Sequence, residues 1–96
     1  MKYNIPDRVL KDIFIFARKY DVHRIILFGS RARGTHTERS DIDIAVSGGN
    51  FDSFYWDIKE NVHSLLTFDV VNLDLDVSEK LMEEIEKDGV LIYEEI

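Results

Sequence analysis

Apolar residues recur at helical spacing along the first stretch of the chain, at Val9, Leu10, Ile13, Phe14, Phe16, Ala17 and Tyr20. Pro6 suits the first turn of the helix they predict. Past Asp21 the pattern changes: Ile25-Ile26-Leu27-Phe28 is short, continuous and apolar, as a strand buried on both faces requires, and Gly29-Ser30 breaks it. An Arg-rich loop or short helix follows. Ile42-Asp43-Ile44-Ala45-Val46 predicts a second strand, closed by Ser47-Gly48-Gly49-Asn50, which has the composition of a turn and a helix entry. Phe51, Phe54, Tyr55, Ile58, Val62 and Leu65 mark a second amphipathic helix, and Thr67 to Asn72 a third strand. Asp76, with Glu79 three residues on, resembles a capping box opening a helix that turns Leu81, Met82 and Ile85 inward. Gly89 ends that helix, and Val90-Leu91-Ile92-Tyr93 offers a last short strand. This order predicts an α/β fold, a small mixed sheet with packed helices. With no repeat, low-complexity tract or linker, residues 1–96 read as a single domain.

Composition narrows the chemistry. At 96 residues and 45% hydrophobic content the chain can bury one core. Its 12 basic and 19 acidic residues give a formal charge of −7, so no general field draws it to nucleic acid or anionic lipid, and direct nucleic-acid binding is not expected. A bound polyphosphate must be held locally, by backbone amides, a few arginines or a metal. The absence of cysteine excludes disulfides and thiolate metal sites. No signal-type apolar core opens the chain and no apolar run approaches the roughly 20 residues that cross a bilayer, so a cytoplasmic protein without membrane contact is the expectation.

Three carboxylates stand out by position. Asp41 and Asp43 are two apart at the start of a strand, so both point to one face. Asp69 alternates with Phe68 and Val70 in the next strand, and if the two strands pair, all three converge. Such a cluster raises its own pKa values unless a cation sits among it, and all-oxygen ligands suit Mg²⁺ or Mn²⁺ over Zn²⁺. Upstream, Gly29 permits a tight turn and close approach of a phosphate to the main chain. Ser30 can add a hydroxyl, and Arg31 and Arg33 are the nearest cations for a polyphosphate, although an exposed basic loop explains them equally well. A triphosphate held there and bridged by metal to the carboxylates is what phosphoryl chemistry requires.

The run GSRARGTHTERSDID, Gly29 to Asp43, with a third Asp in a later strand, resembles the signature of the DNA polymerase beta-like nucleotidyltransferase superfamily. Its four fixed matches arise by chance roughly once in a thousand chains this short. The short length and the ending EKDGVLIYEEI look like the minimal nucleotidyltransferases that accompany all-helical HEPN proteins. That resemblance implies an antitoxin that transfers AMP from ATP to a tyrosine of a HEPN ribonuclease toxin. It further implies that Gly29 and Ser30 hold the triphosphate, that Asp41 and Asp43 hold the metal ions, and that Asp69 is a third ligand and candidate base. Larger members add a domain for the acceptor. No residues remain for one here, so a hetero-oligomer with the modified partner is expected, or a homodimer. An antitoxin acting by occlusion and an enzyme modifying a small molecule such as an aminoglycoside are the competing readings.

Other residues carry less. Ser40 has no role legible in the sequence. His36 lies in the loop before the carboxylates, where solvation is the simpler reading, and His23 and His63 read as surface or half-buried residues. Phe51, Phe54, Tyr55 and Trp56 read mainly as core, Trp56 least so. The first helix is apolar over more of its circumference than one core face needs, which fits either a broad buried helix or an interface. Glu83, Glu84 and Glu86 read as a solvated face.

Overall fold

The computed structural model describes residues 2–62, 64–75 and 77–95. After a short 3₁₀ turn at Lys2–Asn4 come α1 (Asp7–Lys19), β1 (Arg24–Phe28), the one-turn helix α2 (Ser30–Arg33), β2 (Ile42–Ser47), α3 (Phe51–Asn61), β3 (Phe68–Asn72), α4 (Glu79–Asp88) and β4 (Val90–Glu94). The strands form one mixed sheet in the order β3-β2-β1-β4. β1 is antiparallel to both β2 and β4, whereas β2 and β3, linked through α3, run parallel. The predicted α/β architecture is the observed one.

Alternation along the strands divides the sheet into two unlike faces. Ile25 and Leu27 of β1, Ile42, Ile44 and Val46 of β2 and Phe68 of β3 join Val9, Leu10, Ile13 and Ala17 of α1 and Phe54 and Ile58 of α3 in the main core. On the other face Phe28 and Ala45 meet Ile85 of α4, with Ile26, Val71, Leu73 and Leu81 around them. Asp43 and Asp69 share the parity of Ala45 and Val71, so they lie on this second face, beyond the part that α4 covers.

Several sequence expectations change in detail. The second helix stops at Asn61: Val62 is extended (φ −74°, ψ 134°) and only half-buried, and Leu65 is fully exposed. The N-cap of α4 is Ser78, whose hydroxyl accepts from the Leu81 amide, while Asp76 and His63 lie outside the described residues. Gly89 ends α4 without a left-handed conformation (φ −64°). It is needed for space, because a Cβ there would strike the Ile85 carbonyl and come within 2.8 Å of Ile26 Cγ2. In α1, Phe14 and Phe16 pack against the main core and Ile15 alone of the surplus apolar residues is exposed, so the broad-helix reading accounts for most of the excess. Phe54 is buried, Phe51 and Tyr55 half-buried, and Trp56 is 60% exposed, its ring edge-on to Tyr55. His23 is exposed. No helix among the described residues is long and apolar enough to cross a membrane.

Candidate active site

Three strand ends converge at one edge of the second face. In the parallel β2–β3 pair Asp43 stands directly opposite Asp69, and the Ile42 amide donates to the Thr67 carbonyl at 2.9 Å, which locks the two strand starts in register. Across the antiparallel pair Asp43 faces Phe28, the last residue of β1. The residue after it, Gly29, has φ 73° and ψ −157°, a region open essentially to glycine alone. A Cβ at Gly29 would land on Asp43 Oδ2 and lie 3.0 Å from its Cγ, so the carboxylate is packed against the bare α-carbon of the turn. Asp41 is exposed, one residue before β2.

The electrostatics of Asp43 follow from this placement. Half-buried Asp43 has its pKa pushed up from 3.8 to about 6, first by burial, then by the negative charges of Asp69, Asp41 and Glu84, against the opposing pull of Arg33. A carboxylate raised in this way binds either a proton or a cation. Among the described residues no three His, Asp or Glu side chains are gathered about a common point. The donors available are nevertheless all hard carboxylate oxygens that repel one another, which fits Mg²⁺ or Mn²⁺.

The turn that follows β1 is built as the sequence suggests, but its arginines differ. The amides of Ala32 and Arg33 both donate to the Gly29 carbonyl at 3.1 Å, and Gly34, left-handed at φ 81°, closes the helical turn. Ser30 opens α2 and is half-buried. Arg31, expected at the nucleotide, is 2% exposed and points elsewhere. Its Nε donates to Ser40 O at 3.1 Å, Nη1 to Asn4 O at 2.7 Å, and Nη2 to the carbonyls of Thr37 (3.4 Å) and Glu38 (3.1 Å). Its guanidinium thus ties the N-terminal turn to the 37–40 loop, with four of its five N–H donors given to carbonyls. Arg33 stays exposed and faces α4, with Nη1 3.8 Å from Glu84 Oε1 and 3.5 Å from Asp88 Oδ2. Glu83 and Glu86 are exposed as expected, whereas Glu84 is half-buried and paired, beside the carboxylate group. One glutamate among the acids of a polar helix carries no sequence signal that would reveal this.

Two loop residues also gain a place. Ser40 Oγ accepts from the Thr37 amide at 2.9 Å, and its carbonyl accepts from Arg31, so it shapes the loop that delivers Asp41. His36 is half-buried with Nδ1 unpartnered, in a hollow of about 460 Å³ it shares with Pro6, Arg31, Thr37 and Glu38. None of the three aspartates lines that hollow.

A glycine turn thus lies against paired aspartates at the end of a small mixed sheet. The chain belongs to the polymerase beta nucleotidyltransferase family, whose sequence profile matches residues 11–95. It is 44% identical over 63 residues to a candidate protein adenylyltransferase of Methanocaldococcus jannaschii, a match covering 62% of this chain and 57% of that relative. The chain thus spans little more than half of the relative's length. Among solved structures it resembles a toxin-antitoxin crystallised with AMP-PNP (TM-score 0.70, 26% identity, 90% of this chain and 73% of the other). It also resembles a variant of the toxin-antitoxin MntA-HpeT (TM-score 0.66, 26% identity, 88% and 72%).

Proposed function

We propose that this chain transfers AMP from ATP to a hydroxyl, a tyrosine in our reading, of a partner toxin of the HEPN type, in the cytoplasm, and thereby acts as its antitoxin. The observation that carries the reading is the direct pairing of Asp43 with Asp69 in register, with Asp43 packed on the Gly29 turn. The toxin-antitoxin neighbours and the adenylyltransferase relative support the partner and the reaction class.

Asp41, Asp43 and Asp69 would hold Mg²⁺, which offsets triphosphate charge and eases deprotonation of the attacking hydroxyl. The Gly29-Ser30 turn brings main chain and the Ser30 hydroxyl to the phosphates, and Arg33 supplies the nearest cation. The hydroxyl oxygen attacks the α-phosphorus, the bond to the β-phosphate oxygen breaks, pyrophosphate leaves, and Asp69 accepts the hydroxyl proton. A new phosphodiester joins AMP to the partner.

Intact-mass spectrometry of the partner toxin after incubation with this chain, ATP and Mg²⁺ tests the proposal. A gain of AMP that disappears with Asp41→Ala or Asp43→Ala supports it. A tight complex with unchanged mass replaces it with antitoxicity by occlusion.

A further inference from the structure

The unexplained feature near the site is an acidic pair on the lip of a surface meant for polyphosphate. Glu84 and Asp88 are four residues apart, on one ridge of α4, and both are half-buried while Glu83, Glu86 and Lys87 are exposed. As phosphate ligands they have the wrong sign. Asp88 also occupies the last turn of α4, where a helix dipole disfavours a negative charge. What both carboxylates share is Arg33, through the single nitrogen Nη1, at 3.8 and 3.5 Å.

That contact is long and solvent-facing, with side chains 41% (Arg33), 43% (Glu84) and 20% (Asp88) exposed. Ion pairs of this kind contribute about 0–1 kcal/mol, little enough to be exchanged for a denser anion. Arg33 is also the arginine of the turn that remains available, since Arg31 is committed to four carbonyls. It sits one helical turn from Gly29, and its charge opposes the raised pKa of Asp43.

We propose that Glu84 and Asp88 are positioning residues for Arg33, holding its guanidinium on α4 until a nucleoside triphosphate competes it away. This rests on the nucleotide-binding reading above. On this view α4 sets the affinity of the site through one shared arginine, and nucleotide binding releases the α2–α4 contact.

The test is a binding cycle, read by calorimetry with Mg²⁺ and a non-hydrolysable ATP analogue, on the full chain as it stands and on E84Q/D88N, R33M and the triple variant. Expected is tightening by about 3–10-fold in E84Q/D88N, weakening by about tenfold or more in R33M, and a triple variant that binds like R33M. Tightening that persists in full in the R33M background overturns the proposal in favour of direct repulsion of the phosphates by the two acids. An unchanged affinity in E84Q/D88N overturns it too. Both of those results leave the nucleotide site standing, whereas failure of every protein, the unsubstituted chain included, to bind the analogue removes that reading as well.

Discussion

The two faces of the sheet are built from the same strands yet obey opposite rules. On the face covered by α1 and α3, every strand residue named in the core is aliphatic or aromatic and essentially dry. On the other face α4 covers only Phe28 and Ala45 and their surroundings, and the uncovered remainder holds Asp43 and Asp69. Adjacent residues of β2 therefore do unrelated work. Ile42, Ile44 and Val46 secure the fold, while Asp43, between the first two, carries charge that the fold tolerates. A domain this small can keep a mutually repulsive cluster because its stability is concentrated on the far side of the strands.

Substitutions that separate the faces give the largest effects. Asp41→Ala or Asp43→Ala should lower AMP transfer by about three orders of magnitude or more, with the thermal midpoint unchanged or raised; a collapsed fold in both variants would contradict the assignment. Across the same strand, Ile44→Ala should cost about 2–5 kcal/mol in urea unfolding, enough to threaten the fold without touching the site chemistry. Gly29→Ala joins the faces' edge to the site and should cost about 1–3 kcal/mol of backbone strain, together with a loss of transfer activity as the new methyl displaces Asp43.

A subtler difference concerns pH. The pKa of Asp43 is raised in the fold, from 3.8 to about 6. Its contribution to stability is therefore fully present below about pH 4 and lost as pH rises through about 6. After allowance for solvent screening of a half-exposed group, this one carboxyl should account for about 1–2 kcal/mol of stability lost between those limits in protein free of divalent cations. Asp43→Asn should abolish that loss, which unfolding curves in EDTA at pH 4 and pH 8 would register. Trp56→Ala, on neither face of the sheet, should stay within about 0.5 kcal/mol of the unsubstituted protein.

Much of this division was legible in the chain. Strand alternation placed Asp43 and Asp69 on a common face once β2 and β3 pair, and the Gly29-Ser30 turn was visible because glycine after an apolar run has few other uses. The arginines were not separable. Arg31 and Arg33 stand in the same short motif, and only the fold-back of Asn4 onto α2 shows that Arg31 serves carbonyls brought from both sides. Glu84 was hidden for the opposite reason: its neighbours on α4 are ordinary surface acids, and its partner is 51 residues away in sequence. Likewise, the early end of α3 at Asn61 was missed because Val62 and Leu65 continue the helical period in sequence alone.

The strand that carries Asp69 is one of the two edge strands, bonded to the sheet along one side only. Edge strands open locally at lower free energy than the centre of a sheet, as amide hydrogen exchange commonly reveals. Each such opening would dissolve the alignment of Asp69 with Asp43 while α1, α3 and the main core remain closed. Denaturant well below the unfolding midpoint should then silence catalysis before any global probe responds, so that loss of activity becomes a sensor for the fraying of β3.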